Sequence, residues 1–236
     1  MGANRMNGSA YFFMEETIMQ SNASTAQVYT APKRKPVYAF FKRFFDILFC
    51  LIGLVPFLLV YLVVAIAIKI EDRGPVMYKS VRLTKNGKPF KMYKFRSMCL
   101  GAENMKKDLM KQNEMKGPAF KMKDDPRITK VGRILRKTSI DELPQLLNIL
   151  KGDMSIIGPR PPLPEEVEQY TPYQMHRLDV KTGLACYHEC MGRSDAHDFD
   201  KWVESDLKYI RERSLWTDIK IVFMTIRVVF TGEGAV

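Results

Sequence analysis

The chain has 236 residues, of which 46% are hydrophobic, and its 37 Lys and Arg against 26 Asp and Glu give a formal net charge of +11. This length allows one large domain or two small ones, and the charge favours anionic partners such as nucleic acid, phospholipid head groups or phosphorylated metabolites. The four cysteines do not follow the spacing of a disulfide framework, which indicates a reducing, cytosolic environment for the soluble part.

The first third of the chain divides by composition. Residues 1–36 are polar and rich in Ser, Asn, Thr and Ala, and we predict a disordered leader there. Residues 37–70 follow as a predicted membrane segment. Within it, Ile47–Ile68 is 22 residues without a formal charge. A helix of that length is about 33 Å long, enough to cross a hydrocarbon core. A buried core helix is the alternative, although such helices are usually shorter and amphipathic.

Charges on both sides of this segment bear on its topology. Lys and Arg are frequent before and after it, and such flanks stay on the cytoplasmic side of a membrane. Pro56 near its middle removes a helical donor and bends the chain. We therefore predict a re-entrant helix-break-helix that enters from the cytoplasm, breaks near Pro56 and returns. A single span with a tolerated proline kink is the alternative.

Residues 71–236 are predicted to form a small helix-rich α+β domain on the cytoplasmic side. Its first element is a β-hairpin around Asn86-Gly87, a dipeptide typical of a two-residue type I′ turn. The predicted elements are, in order, strands Pro75–Lys85 and Lys88–Met98, and helices Met105–Met115, Glu142–Leu150, Asp198–Arg213 and Leu215–Phe230. The last helix is predicted to be either core or an amphipathic helix at the membrane interface, with Ser214 as its cap.

The acidic pair Asp141-Glu142 is the main candidate for chemistry. It fits a helix start, either as a capping box from Ser139 or with Asp141 as the N-cap ahead of Pro144. At the positive end of a helix, the Asp141 carboxylate should stay ionised. It could also attack phosphorus as a nucleophile or bind a metal, with Mg²⁺ or basic side chains neutralising the phosphoryl oxygens. The basic candidates are Lys94, Arg96, Arg136 and Arg160.

Other groups of residues give weaker indications of a functional site. Cys186, His188 and Cys190 would share one face of a strand, but they are too close together for a typical zinc site. No phosphate-binding glycine loop, dinucleotide fingerprint or nucleic-acid-binding motif occurs in the sequence, so we predict no nucleic-acid partner.

Several motifs in the right order resemble those of the bacterial sugar transferase family, the small monotopic polyprenyl-phosphate phosphoglycosyl transferases. The resemblance runs from about Phe40 to Val236. The motifs are Lys42-Arg43-x-x-Asp46, Gly74-Pro75-Val76, Lys94-Phe95-Arg96-Ser97-Met98, Arg136-x-x-Ser139-x-Asp141-Glu142-Leu143-Pro144-Gln145-Leu146, Gly158-Pro159-Arg160-Pro161, and Ser214-Leu215-Trp216-x-Asp218-x-Lys220.

The resemblance implies an enzyme that transfers a sugar-1-phosphate from a UDP-sugar to a polyprenyl phosphate and releases UMP, at the cytoplasmic face of the cell membrane. It implies Asp141 as nucleophile and Mg²⁺ ligand, with Glu142 assisting. The substrate-binding set, from the residues and the resemblance together, is Lys94, Arg96, Arg136, Pro159, Arg160 and Asp218. Membrane lipid is an expected partner, and the oligomeric state stays open, a homodimer included.

Two departures from the family pattern keep an alternative open. The tract Thr182–Met191 differs from the usual family sequence, and Ser80 stands where Gln is common. The first departure leaves the sugar or nucleotide preference open and supports a second hypothesis, a non-catalytic membrane-bound scaffold or lipid-binding protein of the same fold.

Overall fold

The computed structural model describes residues 29, 32–114, 117–120, 122, 124–190 and 198–231. Most of the predicted leader therefore lies outside the described residues. The helices are α1 Pro36–Asp72, α2 Ala102–Leu109, α3 Lys130–Lys137, α4 Gln145–Lys151, α5 Pro164–Val167, α6 Pro172–Met175, α7 Tyr187–Cys190, α8 Phe199–Glu212 and α9 Leu215–Thr231, and the strands are β1 Met77–Thr84, β2 Lys88–Phe95, β3 Ser155–Ile157 and β4 Gly183–Ala185. The predicted helix-rich α+β class is confirmed.

Helix α1 is one continuous helix of 37 residues, roughly 55 Å long at 1.5 Å per residue. Pro36 opens it at a position where proline is tolerated, and Arg73 ends it in a left-handed conformation with φ of 55°. Pro56 lies in its interior. The predicted division into two helices at Pro56 is therefore wrong, because loss of one backbone donor does not interrupt the helix. Re-entry into the membrane stays a prediction.

One face of α1 packs against the rest of the chain along the whole helix. Its buried residues recur at intervals of four and seven, which places them on one stripe: Asp46, Cys50, Phe57, Val64 and Ile68. The apolar members join two hydrophobic clusters, one with Phe90, Met92, Ile149 and Met154 and the other with Phe95 and Leu135. The helix thus lies along the domain and does not project away from it.

The opposite face of α1 is apolar and exposed. Only 17% of its most apolar window is buried, whereas the core helix of a soluble protein is mostly buried. Its exposed side chains include Phe40, Leu51, Val55, Leu59 and Val63. An apolar face of this size indicates membrane association.

Polar contacts fix both ends of α1 to the domain. At the start, Lys42 Nζ lies 2.9 Å from Asp218 Oδ2. At the end, Asp72 pairs with Arg96, and the Glu71 carboxylate accepts a 2.8 Å hydrogen bond from the backbone N–H of Lys130 at the start of α3. Both ends of the helix therefore touch the same folded unit.

The hairpin is present, with β1 and β2 antiparallel and Thr84 opposite Lys88. This register leaves three residues in the loop, Lys85 to Gly87, so the predicted two-residue turn is wrong. Asn86 and Gly87 have φ of 59° and 69°. Two successive left-handed residues suit these residue types.

The other predicted helices are present with shifted bounds. The helix expected over Met105–Met115 is α2 followed by a 3₁₀ turn over Met110–Gln112, while Met115 lies outside the described residues. The last two helices are close to their predicted bounds. Asp198 caps α8 by accepting from the N–H groups of Asp200 and Lys201, and the Ser214 hydroxyl accepts from Thr217 N, which confirms the predicted cap.

Strands β3 and β4 form a short parallel pair, with Ser155 opposite Gly183 and Ile157 opposite Ala185. The backbone of Gly183 lies so close to that of Gly158, the residue after β3, that a Cβ on Gly183 would lie 2.0 Å from Gly158 N. Glycine is therefore required at position 183, the first residue of β4. This close approach sets the position of the following Pro159-Arg160 segment, because Gly183 N also donates to Pro159 O at 2.9 Å.

Candidate active site

The acidic pair lies in a single 3₁₀ turn, Ile140–Glu142, and α4 begins afterwards with Pro144 as its N-cap. Ser139 has φ of 56° and makes no side-chain cap. Both predicted capping arrangements are therefore wrong. Proline has no N–H and fits only the start of a helix, so α4 begins directly after Pro144 and the acidic pair stays in the turn before it.

Helix α4 is held in place by hydrogen bonds from two side chains, Asn148 and Arg43. The Asn148 side chain accepts from Tyr93 N at 2.9 Å and donates to Lys91 O at 2.7 Å, so it pairs with the outer edge of β2. Arg43 of α1 donates to the carbonyls of Ile149 and Leu150 at the end of α4. Asp46 also accepts a hydrogen bond from the Ser155 hydroxyl. The motif Lys42-Arg43-x-x-Asp46 thus anchors α1 to the rest of the domain.

Because α4 is tied to β2, Lys94 of that strand meets the acidic pair. Its Nζ lies 2.5 Å from Glu142 Oε1 and 4.0 Å from Asp141 Oδ2. Asp141 is 6% exposed, whereas 30% of the Glu142 side chain is accessible. One lysine thus bridges a buried carboxylate and a more accessible one.

The two carboxyl groups differ in their tendency to ionise. Burial raises the pKa of Asp141, the nearby Glu142 raises it further, and Lys94 offsets only part of this. Burial also acts against ionisation of Glu142, but Lys94 and Arg160 outweigh it, so the pKa of Glu142 lies below its usual range. The predicted position of Asp141 at the start of an α-helix is wrong, because it lies in the 3₁₀ turn before α4. Desolvation is the largest influence on the pKa of its carboxyl group and raises it.

Beside the pair is an open cleft with an empty volume of about 280 Å³. Its polar lining residues are Arg82, Lys94, Glu142, Gln145 and Arg160, and the remainder are Met92, Pro161, Gly183 and Leu184. Three cationic side chains therefore face a carboxylate across a space open to solvent. Such a cleft can hold a phosphorylated ligand.

Arg82 is a cleft residue that the sequence analysis missed. Its guanidinium donates to Ser80 Oγ at 3.0 Å and to Pro161 O at 3.1 Å. The alternation of side chains along a strand could have identified it in the sequence, because Ser80, Arg82 and Lys94 share one face of the β1–β2 pair. The departure at Ser80 thus lies beside a cleft residue.

Several predicted residues come together here. Arg160 lines the cleft, with its guanidinium 5.7 Å from the centre of the Trp202 ring. Pro159 is buried and positions Arg160 through its backbone. Arg136 is half-buried, donates to Ser97 Oγ at 2.9 Å and stabilises the ionised form of Asp141 through its charge.

Two other predicted substrate-binding residues are occupied by structural contacts. Arg96 is buried, pairs with both carboxylate oxygens of Asp72 and donates to Pro75 O. Asp218 accepts from Lys42, Tyr38 and Tyr209. Neither residue lines the cleft. Both residues therefore help to anchor α1, and their predicted contact with substrate stays a prediction.

The unusual Thr182–Met191 tract is described up to Cys190. Gly183 and Leu184 line the cleft, so this departure from the family pattern adjoins the ligand space. Cys186 precedes helix α7, which contains His188 and Cys190, and the strand on which the three could share a face is absent from this stretch. The His188 ring stacks on Trp202 at 5.2 Å.

The acidic pair can be tested for its fit to Mg²⁺. No cluster of three or more candidate metal ligands occurs among the described residues, so the protein alone does not form a complete cage there. Mg²⁺ commonly binds through one or two carboxylates plus the phosphates of a substrate. The Asp141 carboxylate beside the cationic cleft fits this mode.

The fold and site define a membrane-associated protein with an acidic pair beside a cleft lined by cationic side chains. The bacterial sugar transferase family model matches residues 37–232. The chain therefore belongs to the bacterial sugar transferase family.

Curated relatives agree with this assignment. Galactosyl transferase CpsE of Streptococcus agalactiae serotype III is 48% identical over 82% of the chain and 43% of the relative. Undecaprenyl-phosphate galactose phosphotransferase of Salmonella typhimurium is 41% identical over 83% of the chain and 42% of the relative. Exopolysaccharide production protein ExoY of Sinorhizobium fredii is 37% identical over 85% of the chain and 90% of the relative. The chain thus spans less than half of the first two.

Proposed function

We propose that this protein transfers a sugar-1-phosphate from a UDP-sugar to a polyprenyl phosphate of the undecaprenyl type, with release of UMP, and so initiates the synthesis of a surface polysaccharide or glycoconjugate. The observation that carries this proposal is the placement of Glu142 in a cleft lined by Lys94, Arg82 and Arg160, with the buried Asp141 carboxylate beside it, 4.0 Å from Lys94 Nζ. The names of the relatives support the substrate classes.

In the first step, a carboxylate oxygen of Asp141 attacks the phosphorus that bears the sugar. The new bond is an aspartyl phosphosugar, and the phosphoanhydride bond breaks so that UMP leaves with the bonding electron pair. Arg82, Lys94 and Arg160 stabilise the charge on the phosphoryl oxygens. Asp141 must be deprotonated to attack, and its raised pKa makes this carboxylate more basic than an exposed aspartate.

In the second step, an oxygen of the polyprenyl phosphate attacks the same phosphorus. The acyl phosphate bond breaks, which regenerates the Asp141 carboxylate and yields a polyprenyl diphosphosugar. Glu142 stays ionised because its pKa is low. It holds Lys94 through the 2.5 Å contact and so orients that ammonium group toward the reacting phosphate.

Mg²⁺ is the cofactor that we propose for this site. Asp141 would hold it together with substrate phosphates, and the ion would neutralise charge on the diphosphate.

The membrane helix supports a lipid acceptor. We propose that α1 is re-entrant and that the cleft faces the cytoplasm, because contacts at Lys42 and at Asp72 hold both ends of the helix to one domain. The exposed apolar residues Trp216 and Phe223 of α9 support placement of that helix at the membrane interface.

The activity test uses the full chain in lipid nanodiscs with Mg²⁺, polyprenyl phosphate and a panel of UDP-hexoses and UDP-N-acetylhexosamines. We expect UMP release with at least one donor, and a loss of roughly 10³-fold or more in Asp141→Asn. Asp108→Asn is the matched control, because Asp108 is exposed on α2, and it should keep the full rate. Undiminished turnover in Asp141→Asn would exclude the nucleophile role.

Absence of UMP release across the panel, with polyprenyl phosphate still bound, would favour the non-catalytic scaffold. Topology has a separate test with single cysteines introduced at Lys35 and Lys85. Both should react with an impermeant thiol reagent from the same side of sealed vesicles, and labelling from opposite sides would exclude re-entry.

A further inference from the structure

Gln145 is the first residue of α4 and lines the cleft beside Glu142, Lys94 and Arg160. Its residue surface is only 2% exposed. In the described part of the chain, its carboxamide has no hydrogen-bond partner. The amide is therefore buried by its neighbours and open only toward the cleft.

A second buried amide on the same helix shows the contrast. Asn148 lies three residues further on, is 0% exposed, and pairs with Tyr93 N, Lys91 O and Asp153 Oδ2. Buried amides are normally paired in this way because an unpaired one is destabilising. An unpaired amide that faces a ligand cleft is therefore suited to a partner supplied by the ligand.

We propose that Gln145 binds a hydroxyl group of the nucleotide sugar, either on the transferred sugar or on the ribose. This inference rests on the proposed function and adds a binding residue to it. A carboxamide presents two N–H donors and a carbonyl acceptor. A hydroxyl group both donates and accepts, so it can satisfy both ends of the amide.

A phosphate contact fits Gln145 less well. Phosphate oxygens only accept, so they would leave the amide carbonyl unpaired and facing a negative charge. The cationic side chains of the cleft, Arg82, Lys94 and Arg160, already suit the diphosphate. The neutral amide among them is therefore assigned to a neutral part of the donor.

The experiment measures equilibrium binding to the full chain in nanodiscs, with Gln145→Met as the variant. Methionine keeps the length of the side chain and removes its hydrogen bonds. Three probes are compared: a UDP-sugar that the wild type turns over, UDP, and inorganic pyrophosphate. Gln112→Met is the matched control, because Gln112 is exposed, and it should leave all three affinities unchanged.

We expect Gln145→Met to weaken the UDP-sugar about tenfold, a typical effect of one lost hydrogen bond in a buried site. Loss with the UDP-sugar alone assigns the contact to the transferred sugar, and loss with UDP as well assigns it to the ribose. Equal loss with pyrophosphate, or no loss with any probe, would overturn the proposal.

Thermal stability is a second readout, and it distinguishes a ligand-binding glutamine from one with a structural role. Because the amide has no protein partner, Gln145→Met should unfold at a temperature equal to or higher than that of the wild type. A variant that unfolds at a lower temperature or does not fold would overturn the proposal. Failure of the proposed function is distinguishable, since the wild type would then release no UMP.

Discussion

Substitution of Asn148 by alanine is the perturbation that most directly tests how the fold assembles the site. Asn148 is completely buried. Its side chain pairs with Tyr93 N at 2.9 Å, Lys91 O at 2.7 Å and Asp153 Oδ2 at 3.2 Å. These contacts fasten α4, which follows the acidic pair, to the strand that contains Lys94.

The magnitude follows from the groups that lose a partner. A typical hydrogen bond contributes about 0.5–1.5 kcal/mol, and alanine removes the bonds to Tyr93 N, Lys91 O and Asp153 Oδ2. With the cavity left by the side chain, we expect a loss of roughly 3–5 kcal/mol in the free energy of unfolding. For a chain of this size, each 1 kcal/mol shifts the melting temperature by about 2–4 °C, so the expected fall is on the order of 10 °C.

The assay is thermal unfolding in nanodiscs, followed by intrinsic fluorescence, together with kcat/KM for UMP release at a temperature where both proteins are folded. Asn104→Ala is the control, because Asn104 is exposed on α2, and its melting temperature should match the wild type. We also expect a lower kcat/KM in Asn148→Ala, since Lys94 loses its fixed position. A melting temperature within about 2 °C of the wild type would refute the reasoning.

Three further predictions concern ionisable groups. The pKa of Asp141 is raised and attack requires its ionised form, so a pH–rate profile should show kcat/KM falling on the acid side at a higher pH than for an exposed aspartate. Lys94→Met should shift this acid-side fall to a still higher pH, because Lys94 lowers the pKa of Asp141. The contribution of Asp141 to folding stability is present at low pH and is lost as the pH rises through its raised pKa. Melting temperatures measured from pH 4 to 8 should therefore show Asp141→Asn becoming more stable relative to the wild type as the pH increases. Arg177 and Asp206 form a 2.7 Å pair that is almost fully buried, so Arg177→Met should cost about 3–5 kcal/mol in denaturant unfolding, whereas the double variant with Asp206→Leu should recover most of it.

Local patterns were sufficient to predict much of the fold. The predicted membrane segment, residues 37–70, agrees with α1 to within two residues at each end, and helical spacing of apolar residues predicted α8. The start of α4 could not be predicted from capping patterns. It depends on the left-handed Ser139 and on Pro144, and the acidic pair is positioned by tertiary contacts that no local pattern encodes.

The candidate site was predicted through motifs more than through geometry. Lys94 and Arg160 do line one cleft, and Asp141 is buried beside it, 4.0 Å from Lys94 Nζ. Arg96 and Asp218 look equally suited to phosphate or substrate in the sequence, but their contacts tie α1 to the domain. The sequence shows that a residue is charged, but it does not show which residue it pairs with in the folded protein.

Intact-protein mass spectrometry of the full chain tests the central claim, the nucleophilic role of Asp141, most directly. The protein is mixed with Mg²⁺ and a UDP-sugar that it turns over, without polyprenyl phosphate. We predict an adduct of one sugar-1-phosphate that maps to Asp141, is absent from Asp141→Asn, and disappears when polyprenyl phosphate is added. UMP release that occurs only with the acceptor present and without any adduct, or an adduct on another residue, would contradict the account.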